Sequence, residues 1–339
     1  MNGYLEQARA AIEATIIRSE TMFSWRGRES ARIHARIRRA MTPRTARNYL
    51  RHRLQSQLYS DFYVRGGASP QLWDQDGGAA DPVSFVEALS AANTGNGCRE
   101  DGWEVLTAAA DEVTARRHGV TLWIGRADCC VAADHVITAG ARVSLRLPKE
   151  LPHISPGYYM VLGDQSAASD KEDRLVRLYW NLTADGAAAF VGAATTLLNG
   201  AGVFFRLKVL NDQRSYARCD AGVIYLQRDD YVSAAGIISR IHADVARFLK
   251  PATPVFTKVL APGCGLAEDT GRAESFGEHR CRLLAEGMVR AYERRVRSLD
   301  ARLAIVEECY RQEGLELAQP YLASNSSDIY RFGDGTTAT

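Results

Sequence analysis

The chain has 339 residues, 46% hydrophobic and 24% charged, with a formal net charge of +2, the profile of a globular protein of about two domains. That near-neutral balance argues against a general nucleic-acid binder, which carries a strongly basic domain, and no apolar run approaches the ~20 residues of a membrane-spanning helix. The seven cysteines are scattered without a C-x-x-C pair, so neither a disulfide framework nor a zinc site is expected, and the expected compartment is a reducing cytoplasm.

The first twenty residues hold acidic groups and no continuous apolar stretch, so a signal peptide is not expected. Residues 1–118 read as a helical N-terminal region. Apolar residues recur at helical spacing through EQARAAIEATIIRSETMFSW, RESARIHARIRRAMTP and TARNYLRHRLQSQLYSDFYV. The same spacing spreads the arginines between Arg26 and Arg53 around the helices, which suits a solvated or partner-docking face better than a nucleic-acid stripe. Residues 93–102 are rich in glycine and asparagine and read as a loop. No Gly-Lys-Ser/Thr follows and no strand precedes it, so it is not a nucleotide cradle.

From Val120 the texture turns to short strands rich in Val, Ile, Tyr and Phe: VTLWI, ARVSLRL, GYYMVLG, RLVRLYWN, VFFRLKVL, AGVIYL and TPVFTKVL. One helix is expected from Thr183, its N-cap, to Gly200, and another from Asp229 or Asp230 to Lys250-Pro251. A long helical stretch follows from about Phe276 to Gln312. The order is not a regular βαβ alternation, so residues 119–313 are expected to form an α+β domain with a largely antiparallel sheet. Residues 314–339 read as a C-terminal tail, disordered beyond Asn325.

Only five of the 42 basic residues are lysines. Lys149, Lys171 and Lys250 stand in polar or loop-like surroundings, whereas Lys208 and Lys258 interrupt apolar strands. Strand side chains alternate between faces, so Phe204, Arg206 and Lys208 share one face, and Arg177, Tyr179 and Asn181 share another. Lys258 lies with Phe256 and Leu260. The segment after VFFRLKVL adds Arg218, Asp220 and Tyr225. Few acidic residues lie in these strands, Asp212 and Asp220 being the main ones. Uncompensated arginines on a sheet face form a natural anion site, well suited to phosphate. A lysine crowded by cations and rings gives up its proton more readily and suits a general base.

Other chemistries find little support. His279 and His153 are single histidines, more often structural than catalytic, and none stands in an H-x-x-x-H pair, so no metal site is expected. Neither G-x-S-x-G nor the kinase H-R-D and D-F-G motifs occur.

ANTGNGCREDGW, SPGYY, RLYWN, FRLKVLND with YARCDAGVIYL, and TKVLAPGCGLAED with SFGEHR occur in that order across roughly residues 45–295. On these stretches the chain resembles the HopA family of type III secretion effectors and their bacterial enzyme relatives. Members encoded beside kinase-like proteins act in pathways to class V lanthipeptides and thioamitides. The resemblance implies a lyase that removes phosphate from phosphoserine or phosphothreonine in a precursor peptide, without a cofactor and with a co-encoded kinase as partner. The family fold is in turn similar to the phosphothreonine lyases. By order and spacing Lys208 matches their base, Arg218 the first phosphate arginine, Tyr225 their tyrosine and Arg280 a second arginine downstream. Their upstream Lys-x-His pair corresponds to Arg177-Leu178-Tyr179, which leaves Tyr179 as candidate proton donor. Arg206 and Lys258 complete the expected phosphate ligands. The rival reading is a phosphopeptide-binding effector or adaptor that turns nothing over.

Overall fold

Helix α1 (Gly3–Glu13) leads into a small antiparallel sheet of β1 (Thr15–Ser19), β2 (Met22–Trp25) and β3 (Arg28–Glu29). The continuous helix expected through Trp25 therefore stops at Glu13. Thr15, Ile16 and Ile17 are β-branched and favour a strand, and Arg26 and Gly27 turn the chain at φ 49° and 79°. The computed structural model describes residues 3–67, 82–117, 119–130, 136–152, 154–166, 174–271 and 274–333, so His153 and Lys171 lie outside the described residues.

Two helices follow, α2 (Ala35–Ala40) and α3 (Pro43–Leu58). Thr42 caps α3 by accepting from the Thr45 N–H at 3.2 Å, with Pro43 at the first turn. A single π turn, Tyr59–Tyr63, extends α3. Helix α4 (Pro82–Ala92) precedes a second sheet, made by β4 (Cys98–Ala108), β5 (Glu112–Arg117), β6 (Val120–Gly125), β7 (Cys129–Cys130) and β8 (Arg142–Leu147) in the order β6-β5-β4-β8-β7. The expected loop thus shrinks to residues 93–97. Beyond it β4 is strand, with a register shift between Glu100 and Trp103 that takes up Gly102 at φ 84°. Sheet, not helix, occupies residues 98–117.

The third sheet carries the functional argument. Its strands are β9 (Tyr158–Leu162), β10 (Leu175–Trp180), β11 (Phe205–Leu210), β12 (Gly222–Gln227), β13 (Lys258–Ala261) and β14 (Cys264–Glu268), in the order β13-β14-β10-β12-β11-β9. Every pairing is antiparallel, so the α+β expectation holds. Helices α5 (Ala187–Gly200) and α6 (Tyr231–Val245) bury their apolar sides in the core that also takes Leu178, Trp180, Leu207 and Ile224. The Trp180 and Phe190 rings lie 5.0 Å apart there. Each such side chain contributes about 1.5–3 kcal/mol by leaving water.

The stretch from Phe276 to Gln312 is two helices, α7 (Phe276–Glu293) and α8 (Leu299–Gln312), separated where Arg295 takes φ 56°. Ser275 and Glu278 form a capping box that starts α7. From Asn325 to Gly333 the tail is not loose. Tyr330 is fully buried against Tyr231, with ring centroids 4.8 Å apart, and its hydroxyl donates to Glu268. Among the described residues no helix is long and apolar enough to cross a membrane, and all seven cysteines are free.

Candidate functional site

Sheet register brings most of the expected side chains onto one face. Tyr225 in β12 stands opposite Arg206 on one side and Arg177 on the other. One step along, Val223 stands between Lys208 and Tyr179, and Lys208 faces Met160 on β9. Tyr158 belongs to the same face. Its ring centroid lies 4.4 Å from the Lys208 Nζ, and that of Tyr225 lies 5.7 Å away. Among the described residues Lys208 has neither a hydrogen bond nor an ion pair, and only these rings receive its charge.

The arginines differ from Lys208 in this respect. Arg177 donates through Nε to Asp269 at 2.8 Å, its Nη2 lies 2.7 Å from the same carboxylate, and its guanidinium covers the Tyr225 ring at 5.4 Å. Arg218 binds Asp220 through Nε and Nη2, both at 2.8 Å, and gives a further bond to the Tyr59 hydroxyl at 3.2 Å. Burial opposes the charge of both. The Tyr179 and Tyr225 oxygens with Asp269 outweigh it for Arg177, and Asp220 does so for Arg218, so both pKa values end above the usual arginine range. Arg206 lies half in solvent, 4.0 Å from Glu100 of the second sheet. The expected uncompensated cluster is therefore largely compensated, by Asp269 for Arg177 and by Asp220 for Arg218, while Glu100 pairs with Arg117 at 2.8 Å and only approaches Arg206. The Nη1 groups of Arg177 and Arg218 nevertheless make no hydrogen bond among the described residues.

Two expected phosphate ligands are not brought to this face. Lys258 pairs in register with Leu266, which pairs with Leu178, so it belongs to the opposite side of the sheet. There it binds Asp328, with the Tyr321 ring 5.6 Å away. Arg280 is buried in α7, where Nε donates to the Pro320 carbonyl at 2.7 Å and Nη2 to the Leu322 carbonyl at 2.9 Å. It ties the tail to α7 and is 1% exposed. His279 beside it bonds Glu313 at 3.0 Å, a structural role, as a lone histidine suggested.

Helix α7 and the π turn roof part of the face. Tyr179 is buried beneath them, its ring 6.4 Å from Phe276, and burial pushes its phenol up to about 12. Gly277 is required here because a Cβ would meet the Tyr63 ring at 2.2 Å. Tyr59 stacks on Tyr63 at 5.4 Å, and π turns recur at functional sites. Sequence reasoning missed Tyr59, Tyr158 and Asp269. Alternation within GYYMVLG does place Tyr158 with Met160 and Leu162 on one face, yet only the sheet order reveals that β9 borders β11. Tyr59 and Asp269 join through tertiary packing and leave no spacing signal.

Known proteins share this architecture. The effector protein from Pseudomonas syringae pv. syringae strain 61 superposes at a TM-score of 0.51 with 13% identity, over 96% of this chain and 99% of that one. The effector protein from Pseudomonas syringae pv. tomato strain DC3000 matches 81% of this chain and 96% of its own, at a TM-score of 0.46 and 15% identity. At such identities the likeness is one of fold, and it rests on the first of the two. No curated protein matches the chain. The model of the HopA1 effector protein family matches residues 150–322, just over half of the chain and all six strands of the third sheet. The chain belongs to the HopA1 effector protein family.

Proposed function

We propose that this protein is a phosphoserine/phosphothreonine lyase acting on a phosphorylated precursor peptide of the lanthipeptide type. The observation that carries the reading is Lys208: a lysine with no carboxylate partner among the described residues, set between two tyrosine rings on a face shared with Arg177 and Arg206. Lys208 takes the α-proton of the phosphorylated residue. The C–H electron pair becomes the Cα=Cβ bond, the Cβ–O bond breaks, and phosphate leaves with that bond's electrons. Dehydroalanine or dehydrobutyrine remains in the peptide. The free Nη1 groups of Arg177 and Arg218, together with Arg206, hold the phosphate and stabilise its growing charge, a contribution of about 3 kcal/mol for a well-placed donor. The Tyr225 hydroxyl lies on the same face and orients the departing group, while Tyr179 keeps its proton and acts from beneath as a donor or support.

The chain lacks kinase motifs, so a co-encoded kinase-like protein supplies the phosphopeptide. The exposed N-terminal helices offer it a surface: α2 has no buried residue and presents Arg36, Arg38 and Arg39 with Ile37. Co-expression and size-exclusion chromatography test the complex. Separate elution with full turnover of free phosphopeptide excludes an obligate one.

Mass spectrometry of a synthetic phosphopeptide tests the reaction itself. Loss of phosphoric acid is the expected result, and return of Ser or Thr indicates a phosphatase instead. A second reading, a phosphopeptide-binding effector or adaptor, draws on the pairing of Arg177 and Arg218 with their own carboxylates. Such pairing weakens the field available to a leaving dianion. Binding with an unchanged peptide mass decides for that reading.

A further inference from the structure

Beside the Lys208 face, a cleft of about 370 Å³ opens between the second and third sheets. Leu122, Leu147, Leu162 and Phe204 are among its walls, and Val120 and Ile154, 43% and 46% exposed, also line it. Its polar part is an internal pair: Arg117 Nη1 lies 2.8 Å from Glu100 Oε1, and Trp103 donates to the other Glu100 oxygen at 2.9 Å. These charges cancel each other, which leaves Arg206 as the remaining charge of the lining. Arg117 Nη1 is buried against Glu100. The rest of the lining is largely apolar, the environment that suits an apolar side chain.

The cleft is continuous with the candidate site. Met160, Leu162 and Arg206 line it, and Arg206 precedes Lys208 on the same face of β11, about 7 Å away at strand spacing. An extended peptide covers that distance in two residues. We propose that the cleft is a specificity subsite that seats an apolar side chain of the peptide, two to four residues from the phosphorylated one. The proposal rests on the phosphopeptide reading above and adds the sequence class of the substrate.

Two fluorescein-labelled phosphoserine peptides test it by anisotropy. One carries leucines at the second, third and fourth positions on both sides of the phosphoserine, and the other carries alanines there. The protein is used as wild type and as a Val120→Gln/Ile154→Gln double variant, changed only at exposed positions. Wild type is expected to bind the leucine peptide roughly tenfold more tightly, and the double variant is expected to lose that preference while binding the alanine peptide as before. Equal affinities for wild type, or a preference that survives the double variant, overturn the proposal. So does self-association of wild type that the double variant abolishes without any peptide preference, since the cleft then belongs to a second copy. Mass spectrometry of the same mixtures separates the two ideas. A leucine preference without dehydrated product supports the subsite and sinks the lyase, whereas dehydrated product without preference sinks the subsite alone.

Discussion

Strand β9 sets Tyr158 beside Lys208, with the Lys208 Nζ 4.4 Å from the centre of the ring. A ring face attracts the ammonium but cannot accept its proton, and no carboxylate among the described residues does so either. Lys208→Met is expected to lower turnover by about 10²–10⁴-fold, the usual contribution of a general base, while phosphopeptide binding falls far less. Lys208→Arg is the sharper change. It keeps the charge, but a guanidinium does not deprotonate at working pH, so turnover is expected to stay lost. Substantial dehydrated product from that variant, read by mass spectrometry, refutes the base assignment.

Arg218 reaches the site from the loop before β12, oriented by Asp220 and Tyr59. A charge-assisted bond to phosphate acts in both ground and transition states. Arg218→Ala is therefore expected to weaken phosphopeptide binding by roughly tenfold or more and to lower turnover with it. The unphosphorylated peptide is expected to bind both proteins alike. Anisotropy with the two peptides measures the difference, and an unchanged affinity for the phosphopeptide removes Arg218 from the site.

How far the site was legible follows from what each residue depends on. Strand alternation and a scarce lysine suffice to pick out Lys208 and to put Arg206 on its side, because both facts are local. Lys258 has the same local signature, an isolated cation in an apolar strand, yet register turns it to the other face. That register depends on β14 and the irregular β13 edge, not on the residues around Lys258. The hairpin at residues 15–29 was hidden for a similar reason: Ile16, Ile17 and Phe23 fit a helical period as well as a strand, and the turn at Arg26-Gly27 decides between them. Asp269 follows β14 by one residue and meets Arg177 only because β14 borders β10. Pairings of this kind belong to topology, which spacing does not encode.

Arg280 tests the same distinction by stability. Its side chain is buried and satisfies the Pro320 and Leu322 carbonyls. Burial pulls its pKa below the usual arginine value, yet the carbonyls hold the guanidinium in place. Arg280→Met leaves both acceptors unpaired and is expected to cost about 3 kcal/mol, read as a lower midpoint in urea. Phosphopeptide affinity of the folded variant is expected to be unchanged. A variant as stable as wild type but weaker for phosphopeptide returns Arg280 to the phosphate site.

Glu313 makes that region sensitive to acid. Its carboxylate accepts from Arg282 at 3.0 Å and contacts His279 at 3.0 Å. Burial alone raises its pKa, but the bonds to Arg282 and His279 prevail and hold it at about 2, against 4.5 for the free group. A carboxylate depressed on folding contributes stability that is complete above its unfolded pKa and is lost as pH falls through the folded one. The loss from Glu313 thus runs from about pH 4.5 down to about pH 2. His279 acts in the same direction at higher pH. Burial, then the neighbouring Arg280, lowers its pKa from 6.5, so protonating it as pH drops below that value works against the fold. Glu313→Gln is expected to be less stable than wild type at pH 7 by about 1 kcal/mol or more, with the gap closing between pH 4.5 and pH 2. Urea midpoints of the two proteins across that range measure it. A gap of constant size down to pH 2 shows that the bonds of Glu313 do not depend on its charge, and places the acid sensitivity of the fold elsewhere.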